Sequence, residues 1–97
     1  MAHDLATQFD KRVMLTEIGY MNSSNAASQP GSFTDKGVRD DHLQATLYKA
    51  AIIASQHIRS LDGIIFWQWE LEKLDTTKID YSPQGREAEQ VLREFWL

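Results

Sequence analysis

Ninety-seven residues allow one small domain, and a balance of 42% apolar to 25% charged residues suits a folded globular chain rather than a disordered one. The net charge of −4 offers no basic surface to nucleic acid or to an anionic membrane, and no apolar run approaches the ~20 residues that span a bilayer. Cysteine is absent, so there is neither a disulfide framework nor a thiolate metal site.

The N-terminus, Met1-Ala2-His3-Asp4, lacks the basic and apolar regions of a secretory signal, and the chain as it stands reads as cytoplasmic. Residues 3–10, with Leu5, Ala6 and Phe9 spaced along one side, read as the last turns of a helix too short to stand alone. A strand over about 12–18 follows. Strand alternation places Val13, Leu15 and Glu17 on one face, so a core-like face ends in a carboxylate. Such an acid either reaches water or is held for use. The C-terminal ends of parallel strands are where α/β proteins place ligands and catalytic groups. Gly19 to Arg39 is a long polar stretch, read either as a substrate-facing loop after Glu17 or as an unstructured excursion.

The spacing predicts a helix over about 41–61. Asp41 and Gln44 fit a capping box, and Leu43, Leu47, Ala50, Ala51, Ala54, Ile58 and Leu61 recur as a core-facing stripe. Asp62-Gly63 ends it. A second strand, about 63–69, is apolar on both faces as in a buried parallel sheet. Trp67 and Trp69 share parity at its C-terminal end, serving either as core fill or as a platform for the C–H faces of sugar rings. The acids Glu70, Glu72 and Asp75 come next, and Ser82-Pro83-Gln84-Gly85-Arg86 opens a last helix over about 84–96.

The fold class expected is α/β, a βαβα parallel unit with right-handed crossovers. Two parallel strands leave both edges and much of both faces open, so the unit should be completed by homo-oligomerisation or by a missing segment. The histidines His3, His42 and His57 show no ligand spacing, and there is no phosphate loop or nucleophilic-serine setting. No metal or cofactor is expected.

Four segments in order carry a family resemblance. They are Thr16-Glu17-Ile18-Gly19-Tyr20, Gln44-Ala45 with Tyr48-Lys49-Ala50-Ala51, Gly63 with Phe66-Trp67-Gln68-Trp69, and Tyr81-Ser82-Pro83-Gln84-Gly85-Arg86 with Ala88-Glu89. Together they resemble the C-terminal quarter of a clan A glycoside hydrolase, nearest the family 113 endo-β-1,4-mannanase type. The resemblance implies strands seven and eight of a (β/α)8 TIM barrel. It puts a retaining nucleophile at Glu17, the tryptophan beneath the sugar at Trp67, a subsite role at Tyr20, and a polysaccharide or oligosaccharide as substrate, while Trp69 joins the platform by strand parity. The general acid/base of such enzymes ends strand four, which does not correspond to any stretch of this sequence, so the chain is expected to be inactive alone. The alternative is a non-catalytic α/β module for self-association or for use as a subunit.

Overall fold

The computed structural model describes residues 1–32, 37–70, 75 and 77–96. The elements are α1 (Ala2–Phe9), β1 (Val13–Ile18), α2 (Asp41–Gln56), β2 (Leu61–Phe66) and α3 (Glu87–Trp96). β1 and β2 pair in parallel, with α2 as the crossover between them. The backbone amide of Trp67 donates to the Ile18 carbonyl at 2.7 Å, carrying the ladder one residue beyond β2.

α2 begins one residue earlier than the capping box predicts. Asp40, not Asp41, is the cap, and its Oδ1 accepts from the Leu43 amide at 2.9 Å. Asp41 is engaged elsewhere, accepting from the Arg39 guanidinium at 2.7 Å and from the Asn22 amide at 2.9 Å. The Arg39 hydrogen bond holds the Asp41 carboxyl below its usual range. α2 also stops at Gln56 rather than near residue 61. Short turns from Ile58 to Ser55 and from Leu61 to Ile58 close its end, and Leu61 is taken by the sheet as the partner of Val13. The buried stripe is Gln44, Ala45, Tyr48 and Ile52, whereas Ala50 and Ala54 of the expected stripe are exposed. α3 starts at Glu87 rather than 84, because Pro83–Arg86 form a turn in which Gly85 adopts φ 68°.

The helices cover one face of the sheet. There Phe66 stacks on Tyr48 with ring centroids 4.3 Å apart, and Ala45, Ala88, Val91 and Leu92 complete the core. Among the described residues no helix covers the other face, where Met14 and Ile65 are both about half exposed (53% and 52%).

Candidate functional site

The end of β1 departs from simple alternation, and this decides where Glu17 points. Leu15 pairs with Ile64 and Ile18 with Phe66, so three steps along β1 match two along β2. The extra residue is a bulge at Thr16–Glu17. Bulges re-aim side chains and are common beside active sites. The half-buried residues of β1 are Val13, Leu15 and Ile18, while Met14, Thr16 and Glu17 are exposed. Glu17 therefore leaves the face of Val13 and Leu15, contrary to the strand-parity expectation. It joins Trp67 on the bare face at the C-terminal end of the sheet.

Glu17 and Trp67 line one open cleft with Gly19, Pro30, Gly31 and Tyr81. Gly19 is required at its floor. A Cβ there would lie 2.8 Å from the Trp67 carbonyl oxygen and 3.0 Å from the Tyr81 ring, closer than a side chain tolerates. The peptide bond between Trp67 and Gln68 is cis.

Two of the expected site residues lie elsewhere. The chain turns away from the sheet after Trp67, so Trp69 does not share its surroundings but lines a separate groove with Glu89, Leu92, Arg93 and Trp96. Tyr20 sits edge-on to Tyr48 at 6.1 Å, packed against the core, with its backbone carbonyl bound by Gln44. Tyr20 is not among the residues that line the cleft. Of the acids after β2, Glu70 accepts from the Gln68 amide, and its backbone is held on both sides by Gln84. Asp75 accepts from Thr77, and Glu72 lies outside the described residues. Among the described residues, Glu17 is the carboxylate that lines the cleft.

A buried polar layer holds the cleft's rim. Asn22, fully buried, donates to Asp41 and to the Lys78 carbonyl and accepts from the Asp80 amide at 2.9 Å. Arg86 is 4% exposed and donates to the Asp80 carboxylate at 2.6 Å and to the Lys78 carbonyl at 2.7 Å. It shares the Ser82 carbonyl with the Gln44 amide. The Tyr48 hydroxyl donates to the Tyr81 carbonyl at 3.3 Å, and burial raises its pKa well above that of a free phenol. Unpaired buried polar groups are costly, so this interlocking set ties the loop after β1 to the segment before α3. The sequence pattern pointed to no part for Asn22, Asp80 or Tyr81 in such a layer. Tyr81 and Arg86 stand in the last family-like segment, and that placement was the available signal.

Among the described residues no group of His, Asp or Glu side chains is placed to hold a metal ion, and no helix is long and apolar enough to cross a membrane.

Comparison with known proteins adds the family. No curated protein matches the chain. A solved structure described as a complex of a GH113 beta-1,4-mannanase superimposes with a TM-score of 0.87 at 24% sequence identity, covering 95% of this chain. The chain spans 31% of that structure's length, so the α/β unit seen here corresponds to part of a larger fold. Residues 1–85, which hold both strands, α2 and every residue lining the cleft, match Glycoside Hydrolase Family 113, and the chain belongs to that family.

Proposed function

We propose that this chain supplies the nucleophile and part of the sugar-binding wall of a retaining β-mannan-hydrolysing site. The observation that carries the reading is the meeting of Glu17 and Trp67 in one cleft at the C-terminal end of a parallel sheet. In a retaining mechanism a Glu17 carboxylate oxygen attacks the anomeric carbon while the bond to the leaving sugar oxygen breaks. A second carboxyl group protonates that oxygen. Water, deprotonated by the same second group, then releases the sugar from Glu17. The Trp67 ring offers a flat apolar face to a pyranose, as carbohydrate sites commonly do.

The second carboxyl group must stand about 5–5.5 Å from the nucleophile, across the substrate. Family likeness assigns it to a strand that this sequence does not contain. General acid–base assistance is worth on the order of 10²–10⁴ in rate, so the chain by itself should not turn over mannan at an enzymatic rate. The experiment is a hybrid in which this chain replaces the matching third of a family 113 β-mannanase. It should release reducing sugar from β-mannan, and Glu17→Gln within it should lower turnover on the order of 10³-fold or more. Turnover indifferent to Glu17 would overturn the reading.

The bare sheet face favours a second reading, a module that associates through Met14, Ile65 and the open strand edges. The two readings are compatible if another polypeptide segment or another copy covers that face.

A further inference from the structure

Tyr81 connects three parts of the cleft that are remote in sequence. Its ring lines the cleft beside Glu17 and Trp67 and lies against the Cβ-less Gly19, two residues after the acid. Its hydroxyl lies 3.0 Å from the Pro30 carbonyl oxygen and 2.9 Å from that of Ser32, so its single proton is shared between the two ends of one turn. Pro30 and Gly31 in that turn form the opposite rim, and both are exposed.

The tyrosine itself is firmly held. It is 8% exposed, and its carbonyl accepts from Tyr48. The neighbour before it, Asp80, is paired with Arg86, and the carbonyl of the neighbour after it, Ser82, accepts from Gln44 and Arg86. A fixed side chain therefore reaches across to an exposed turn.

The geometry points to Tyr81 as a positioning residue that holds the 30–32 turn as the far wall of the Glu17 cleft, and thereby sets the cleft's fit to a chain of β-linked pyranose rings. The ring stays as a wall in any case, and the hydroxyl fixes the distance to the opposite rim. An anchored turn offers preformed contact, whereas a loose one must be ordered each time a glycan binds, and ordering weakens affinity. The glycan half of this inference rests on the function proposed above, but the anchoring half does not.

Tyr81→Phe removes only the hydroxyl. In the full chain, amide hydrogen exchange at Gly31 and Ser32 should quicken about three- to tenfold, as expected for loss of one neutral hydrogen bond. Binding of mannohexaose, followed by the NMR shift of the Trp67 indole N–H, should weaken by a similar factor. The thermal midpoint should barely move, since one neutral hydrogen bond at an exposed turn is lost and the ring stays in place, and this separates positioning from general destabilisation. Unchanged exchange at Gly31 and Ser32 would overturn the anchoring role. Quickened exchange with unchanged mannohexaose affinity would overturn the role in substrate fit. If the wild-type chain bound no mannohexaose while Tyr81→Phe still loosened the turn, the substrate reading would fall and the anchor would stand.

Discussion

The two faces of the sheet differ more than their sequences suggest. Both are apolar, yet on one face Phe66 is stacked on Tyr48 and sealed by α2 and α3, while on the other Met14, Ile65 and Trp67 stand exposed. The covered face holds the unit together, and the bare face carries the acid. In a parallel sheet both faces are normally buried, and the exposure of Met14, Ile65 and Trp67 departs from that pattern. The cleft is formed where the bare face meets the C-terminal strand ends, the region in which barrel enzymes do their chemistry.

Substitutions can break this contrast. On the covered side Tyr48→Ala removes a fully buried ring that stacks on Phe66 and donates to Tyr81. The loss should be about 3–5 kcal/mol of stability, read from the urea midpoint, which for so small a domain approaches complete unfolding. Between the faces, Gly19→Ala forces a Cβ against the Trp67 carbonyl, a backbone atom that cannot swing away. Denaturant titration should show about 1–3 kcal/mol of destabilisation, with the Trp67 indole signal displaced. On the bare side Ile65→Lys should change stability by no more than about 0.5 kcal/mol, because the side chain is half exposed. Its effect should appear in light scattering instead, as a fall in the mass of an associated wild-type species. A wild type that scatters as a compact monomer would show that the bare face does not associate.

The same contrast explains what could be read from the sequence. The order of elements, the acid at the end of β1 and the tryptophan at the end of β2 are local patterns, and the chain order carries them. The direction of Glu17 is not local. It depends on a bulge created by the register of β1 on β2, whose paired residues (Leu15 with Ile64, Ile18 with Phe66) are remote along the chain, so alternation alone put Glu17 on the wrong face. Tyr81 was similarly hidden, because its partners Pro30 and Ser32 lie 51 and 49 residues upstream. The α2 stripe was misjudged for a chemical reason. Gln44 is polar, but its side chain is buried because it binds the Tyr20 and Ser82 carbonyls, and a hydrophobic pattern cannot anticipate that. Trp69 shows the limit of parity, which holds only while the strand lasts, and β2 ends at Phe66.

The central claim is that Glu17 is a glycosidase nucleophile, and covalent capture tests it most directly. A dinitrophenyl β-mannoside with fluorine beside the anomeric carbon carries a leaving group that departs as a stable phenolate, so no second carboxyl group is needed for the first step. The Glu17 oxygen would bond to the anomeric carbon, dinitrophenolate would leave, and the fluorine would slow release of the sugar by water. Mass spectrometry of the treated chain should find one fluoromannosyl group on the peptide containing Glu17, and none after Glu17→Gln. A chain that stays unlabelled, or an adduct that persists in Glu17→Gln, would contradict the account.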